Sequence, residues 1–467
     1  MTSVKSIAIF FFTVIILCCC RKNVFITNPQ ASLNISVDTL KFDTVFTSTG
    51  SIVQSFKIIN DNDQKLKLSG VKLMGGTSSF FKINIDGTSA TELNNIDIES
   101  NDSLYVFVQV NINPNATNLP FIIADSILIN YNGNTRFVQL QAYGQNAVFL
   151  DSRRVSGSFT FTKGLPYVIL GGLLVDSTAT LTIDKGSKIY LHADAPIIVD
   201  GTLIVSGTKQ EQVIFNGDRL DPDYKDLPAS WPGIYFRNYS RNNTLQFAVV
   251  KNAYQGLIAQ GLPPNANPKL KISQCIIENI YDAGILAINS SINADNSLIS
   301  NCGSNILLAY GGNYSFTHCT AASYGNIFLD HKAPVLQVYN FITQSNNQIL
   351  TADLNAIFKN CIFWGEGGNV DNEVVVDKKG STVFNVTFDH VLYKAMKDPV
   401  NTVFTIPAIK QDPLFDSVNT SKFQFDFHFN TRPASPAVNT GTPTSFLKDL
   451  EDKPRANGAP DLGCYEK

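Results

Sequence analysis

Charge is the scarcest resource of this sequence. Of 467 residues, 16% are Asp, Glu, Lys or Arg, and 36 basic residues stand against 39 acidic ones. Such a balance sets up no strong field toward nucleic acid or an anionic membrane surface, so neither a DNA nor an RNA partner is expected. Paired Cys-x-x-Cys or His-x-x-x-His spacings are missing, which removes a zinc site of the usual kind. There is no Gly-x-Ser-x-Gly elbow and no phosphate-binding loop. The acids are scattered, and no two stand out by spacing as the carboxylate pair of a glycosidase. Hydrophobic residues are plentiful at 44%, ample for a large core in two or three domains.

Repetition is present. Ala283-Gly284-Ile285-Leu286, Ser304-Asn305-Ile306-Leu307 and Gly325-Asn326-Ile327-Phe328 are one short phrase written three times at a 21-residue period. Gln255-Gly256-Leu257-Ile258 precedes the set by 28 residues, the surplus falling in the loop Leu262 to Pro268, and Asn347-Gln348-Ile349-Leu350 follows by 22. A repeat this short, rich in β-branched residues, contributes one coil to a stack, because a lone coil has nowhere to bury its apolar face. Ile285, Ile306 and Ile327 are expected to point inward as a ladder, with Asn305 and Asn326 stacked at a turn.

The amino terminus reads Met1-Thr2-Ser3-Val4-Lys5, an apolar run from Ile7 to Leu17, then Cys18-Cys19-Cys20. A short positive region before about a dozen apolar residues is a secretory signal, too short to span a bilayer. Leu17-Cys18-Cys19-Cys20 resembles the lipobox of bacterial lipoproteins. The resemblance implies a diacylglycerol on Cys20, with Cys19 the second choice, and an outer-membrane anchor that leaves the folded part in water. Whether the chain faces the periplasm or the cell surface stays open, since Arg21-Lys22-Asn23 replaces the acidic residues common in surface lipoproteins. The remaining cysteines, Cys275, Cys302, Cys319, Cys361 and Cys464, are odd in number and widely spaced, so buried thiols are expected rather than disulfides.

From 35 to 147, segments such as Phe81 to Ile85 and Leu104 to Val110 alternate at period two between Asn, Asp and Gly turns. About seven short strands imply a β-sandwich. Phe42-Asp43-Thr44-Val45-Phe46 and Gly75-Gly76-Thr77-Ser78-Ser79-Phe80-Phe81 resemble the immunoglobulin-like modules of Bacteroidetes-type surface proteins. From 160 to 400, phrases such as Leu181-Thr182-Ile183-Asp184-Lys185-Gly186 and Trp231-Pro232-Gly233-Ile234 are similar to the right-handed parallel β-helix, pectate-lyase-like superfamily. From 401 to 467, Ser435-Pro436-Ala437-Val438-Asn439-Thr440-Gly441 and Asp461-Leu462-Gly463-Cys464-Tyr465-Glu466 resemble the closing segment of secreted bacterial β-helix proteins, which implies a cap over the solenoid's open end. Residues 1–19 are thus the signal and 20–34 a linker, and the fold class is all-β. Five Asp-(Ser/Thr)-aliphatic triplets, including Asp102-Ser103-Leu104, and the related Asp176-Ser177-Thr178 look like O-glycosylation sites of the same bacteria.

Candidate chemistry is thin. Asp221, Asp223 and Asp226 lie in one acidic loop that could meet calcium, though the loop lacks the glycine and terminal glutamate of an EF-hand. No other cofactor is expected. Trp231 and Tyr235 follow at once, and aromatic faces beside carboxylates suit sugar rings, against the plainer reading of core packing. Asp330-His331-Lys332 offers an acid, a base and a cation in succession, but strand neighbours alternate faces and cannot all converge. No catalytic residue is assigned. The expected function is a non-catalytic, envelope-associated recognition or adhesin-like rod, with carbohydrate the favoured ligand. The alternatives are a polysaccharide lyase or glycoside hydrolase, and a purely structural envelope protein. A groove with three or more convergent acids and a Lys or Arg would favour the enzyme, and a face lined by Asn, Ser and Thr with no such cluster the binder.

Overall fold

The structure, a computed structural model, describes residues 24–46, 51–112, 121–429 and 435–467. Cys19 and Cys20 lie outside the described residues. The protein is all-β, and two compact units divide between Asn146 and Ala147.

The first unit has two sheets around one core. One contains Phe25–Ile26, Lys65–Leu73, Phe121–Tyr131, Asn134–Gln145 and Thr39–Phe46, with Glu92–Ile98 on the Lys65–Leu73 strand. The other orders as Leu33–Ile35, Gln54–Asn60, Asp102–Val110, Phe81–Ile85 and Thr88–Ser89. Alternation along the strands sends Phe56 and Ile58, Leu66 and Leu68, and Leu104, Val106 and Val108 into the shared core. Asn132 and Gly133, both at positive φ, make the two-residue turn that joins the longest hairpin, as this dipeptide favours. Paired strands begin at Phe25, ahead of residue 35.

In the second unit a 23-stranded sheet winds on itself as a parallel solenoid, beginning at Val148. Each coil lays its strands beside those of the next, and three interior ladders result. The first runs Leu173, Ile197, Ile234, Leu257, Ile285, Ile306, Leu336, Val374. The second changes from aliphatic to aromatic, as Leu245, Ile272 and Ala294 give way to Phe316, Phe358, Phe388 and Phe404. Phe316 and Phe358 stack with centroids 5.5 Å apart, and Phe358 meets Phe388 edge-on at 5.2 Å. The third passes through Phe215, Val250, Ile277, Ile299, Ala321, Phe363 and Tyr393.

Corners are made by single residues in the left-handed region. Gln274, Asn296, His318, Asn360 and His390 fill one corner on successive coils, and Asn252, Asn279 and Asn301 another. Asn tolerates this conformation best among residues with a side chain. At the second corner the amides join along the axis, Asn279 donating to Asn252 at 2.7 Å and Asn252 to Asn216 at 2.8 Å. The repeated glycine of the phrase has a packing reason. A Cβ on Gly256 would lie 2.3 Å from the Gly284 carbonyl oxygen, and one on Gly284 would crowd Ile299 and Cys302.

Three expectations need correction. Ile285 and Ile306 pair in register, but the next rung is Leu336, and Ile327 is 61% exposed. After Tyr324 the chain leaves the sheet, so Ile306 and its partner are 30 positions apart rather than 21. Asn326 accordingly forms a local turn, accepting from the Phe328 and Leu329 N–H groups, while Asn305 is buried and bonds to Ile299, Ala322 and Ser323. The phrase at Asn347 to Leu350 falls on a small antiparallel hairpin, Phe341–Thr343 with Ile349–Thr351. Finally, the tail packs along the flank of the solenoid instead of over its end. Phe415, Phe427, Leu450, Leu462 and Cys464 cover the apolar outer face formed by Ala322, Ile362, Trp364 and Leu392. The five cysteines of the described residues are buried and free, and burial pushes the Cys275 and Cys302 thiols up to about 12.

Candidate functional site

The acidic loop follows the strand Val213–Gly217, and its three carboxylates separate. Asp221 turns to Arg219 at 2.9 Å, whose guanidinium lies 3.7 Å from the Tyr224 ring centre. Asp223 is exposed to solvent. Asp226 alone reaches a cleft, and its carbonyl is held by the Asn279 amide at 2.6 Å. Among the described residues no three His, Cys, Asp or Glu side chains are grouped to hold a metal. Trp231 belongs to the core, 1% exposed with its indole N–H on the Lys251 carbonyl, so its ring has no face for a ligand. Tyr235 is half-buried and donates to the Pro232 carbonyl. His331 points inward onto Glu373 at 2.7 Å, whereas Asp330 and Lys332 pair outside at 2.6 Å, the separation that strand alternation requires.

Among the described residues, two of the concavities lie on the flanks of the solenoid. The first, about 580 Å³, opens where the tail lifts off the outer face of the third sheet. Along that face the column Trp364, Ala322, Ser300, Glu278, Lys251 turns from apolar to charged, and the cover ends at the change. Glu278 and Asp226 form the floor, and Phe425, Asp426, His428 and Tyr465 of the tail form the roof. Burial pushes the Glu278 carboxyl up from its ordinary value, Lys251 opposes this, and Asp226 adds to it. His428 bonds to Asp426 at 2.6 Å and lies against the Tyr465 ring, centroids 3.8 Å apart. Strand alternation in Ile276-Ile277-Glu278 marks Glu278 as outward, but its meeting with residues almost 150 positions later has no local signal.

The second concavity, about 470 Å³, lies on the outer face of the second sheet beneath the loop from Leu262 to Pro268. Its floor is uncharged and, apart from Ile357, mainly polar. Ser291, Asn313, Asn355 and Asn385 occupy one column on four successive coils. The three asparagines are exposed and joined head to tail, Asn355 donating to Asn313 at 3.0 Å and Asn385 to Asn355 at 2.8 Å. Asn293 and Ser315 stand in the adjacent column. Asn265 and Asn267 tie the overhanging loop to the Asn242 side chain at 3.2 and 3.1 Å. Intervals of 22, 42 and 30 positions separate these rungs, so no fixed period betrays the ladder.

No protein-family model matches the chain, and no curated protein does. Among solved structures it is similar to the catalytic unit of a thermostable GH87 α-1,3-glucanase from Streptomyces thermodiastaticus, 11% identical over 76% of this chain and 88% of that one, with a TM-score of 0.23. A family 123 glycoside hydrolase from Clostridium perfringens is 12% identical over 28% of this chain, which spans 31% of that enzyme, with a TM-score of 0.20. A protein of unknown function from Porphyromonas gingivalis is 11% identical over 27% of this chain and 60% of that one, with a TM-score of 0.19.

Proposed function

We propose that the protein is a non-catalytic, carbohydrate-binding rod of the bacterial envelope. In this reading an immunoglobulin-like sandwich lies near a lipid anchor on Cys20 or Cys19, followed by a right-handed parallel β-helix. The observation that carries the binding role is the exposed Asn ladder, of which Asn313 and Asn355 line the overhung groove. Amides on a rigid sheet keep their positions in the free protein, so a glycan's hydroxyls meet donors and acceptors already in place. The test is retention of the protein on immobilised polysaccharides, with new chain ends scored in the same samples. Retention without cleavage is the expected result, and absence of retention on every glycan sinks the proposal. For the anchor, Cys20→Ala should release the protein from membranes, and a variant that still partitions with them rules out Cys20.

A second reading, glycan cleavage, is favoured by one observation. Glu278, its carboxyl pushed up by burial, faces Asp226 in a cleft roofed by aromatic rings, and two carboxyls whose surroundings differ suit glycosidic chemistry. New chain ends that vanish in Glu278→Gln would replace the binding role by this one.

A further inference from the structure

From the Asn groove, and resting on the carbohydrate-binding reading just given, we infer that the ligand is an uncharged polysaccharide laid parallel to the rod axis, one sugar to each coil. Direction comes from the register. Ser291, Asn313, Asn355 and Asn385 lie one above the other on four consecutive coils. Adjacent strands are about 4.8 Å apart, so the column extends about 14 Å along the axis. That step is close to the length of one pyranose unit in an extended chain. A chain laid across the coils would instead meet one asparagine, one residue of the Asn293, Ser315, Ile357 column, and then the column of Asp295, Thr317, Lys359 and Asp389.

The absence of charge follows from how the amides are already used. Each asparagine in the column has one amide proton committed to, or one carbonyl lone pair occupied by, its neighbour. An Asn side chain has two protons and two lone pairs, so both a donor and an acceptor remain at the middle rung. A sugar hydroxyl satisfies both at once, because it donates and accepts. A carboxylate or sulfate ester accepts only, and would leave the amide oxygens facing another acceptor. Among the described residues that line the groove there is no Asp, Glu, Lys, Arg or His. Of the charges beside it, Lys359 and Asp389 pair with each other at 3.4 Å, and Lys271, next to Asn293 in register, is a single cation. An anionic polymer would therefore be desolvated with little in return. Apolar surface is supplied by Leu262, 48% exposed, and Ile357, 50% exposed, which suit the C–H faces of the rings.

The full-length protein is titrated with neutral glucan, mannan and xylan oligosaccharides of increasing length, and with polygalacturonate. For at least one neutral series, affinity should climb with each added sugar and level off at about three, the number of exposed rungs, since Ser291 is buried with its hydroxyl taken by the Lys269 N–H. Added salt should leave it unchanged. Asn355→Ala should weaken binding about tenfold, the loss expected when one or two hydrogen bonds go. Asn355→Asp should weaken it at least as much, and both variants should unfold at the parent's midpoint because the side chain is exposed. Affinity independent of length, or unaffected by Asn355→Ala, overturns the axial placement. Binding of polygalacturonate alone, weakened by salt, overturns the uncharged ligand while leaving the carbohydrate-binding reading intact. If no sugar binds, that reading falls and this inference with it.

Discussion

Lys269 and His318 are both fully buried polar residues, and the structure treats them in opposite ways. Lys269 donates to the carbonyls of Arg237, Asn238 and Ser240 at 2.9, 3.0 and 2.9 Å, so its ammonium ties up a turn, sharing the Arg237 carbonyl with the Ser240 N–H. His318 is kept neutral. Burial, aided by the Arg455 charge, brings its imidazole down to about 3. In the unfolded chain the same group titrates at about 6.5, so between these values the unfolded state binds the extra proton. Stability from this residue is complete above about pH 6.5 and is lost as pH falls toward 3, at up to roughly 1.4 kcal/mol per unit. His318→Asn should flatten that part of the stability profile, followed by urea unfolding across pH. Asn suits the left-handed backbone here, as Asn296 and Asn360 do on neighbouring coils. An unchanged slope would show that another group carries the proton. The sequence marks His318 and Asn360 only as a His and an Asn before Cys, and their burial comes from the tail packing over them, through Thr444 for His318 and Thr442 for Asn360.

At the level of the strand and coil, the ladders are the stabilising unit, and they make a sharp pair of predictions. Ile306 is fully buried between Ile285 and Leu336, so Ile306→Asp leaves an unpaired carboxylate in the stack at a cost of several kcal/mol. Ile327→Asp should be within about 0.5 kcal/mol of the parent, since that side chain is in solvent. Denaturation midpoints of the two variants check both, and similar losses would contradict the register. The pairing of Ile285 with Ile306 was legible because both coils keep the same length to that point. The third copy of the phrase misled because sequence period and coil length part company once a loop intervenes, and nothing in Gly325-Asn326-Ile327-Phe328 itself records the loop. The Phe316, Phe358, Phe388 column was hidden for the same reason, its members being 42 and 30 positions apart.

Across the second unit, the tail is held to the solenoid by apolar cover and by a few charges. Lys209 meets Glu451 at 2.8 Å, and Arg455 pairs with Glu466 at 3.1 Å while donating to Asn296. Glu451 is pushed up by burial, but Lys209 and Lys453 outweigh this and hold it at about 2. A carboxylate depressed in the folded state stabilises above its unfolded value, about 4.3, and that contribution disappears as pH falls through the folded one. Acidification over this window should therefore loosen the tail. Trp364 lies beneath the tail, 6% exposed, and its fluorescence in a Trp231→Phe background reports the event as a red shift. Glu451→Gln should show a weaker acid response, because the titrating group is gone. An identical response in both would place the effect elsewhere.

By itself the sequence determined the all-β class, the solenoid, the inward course of Ile285 and Ile306, the buried cysteines and the outward turn of every second strand residue. These follow from period and side-chain chemistry within a few positions, which any stretch of chain carries locally. Only the tertiary structure decided that Trp231 is core, that the tail lies on the flank, and that Glu278 meets Asp226, Asp426 and His428. The Asn313, Asn355, Asn385 column belongs with these. Its members become neighbours through inter-strand hydrogen bonding across loops of unequal length, and the spacing that makes them a surface is a distance in space that no interval along the chain preserves.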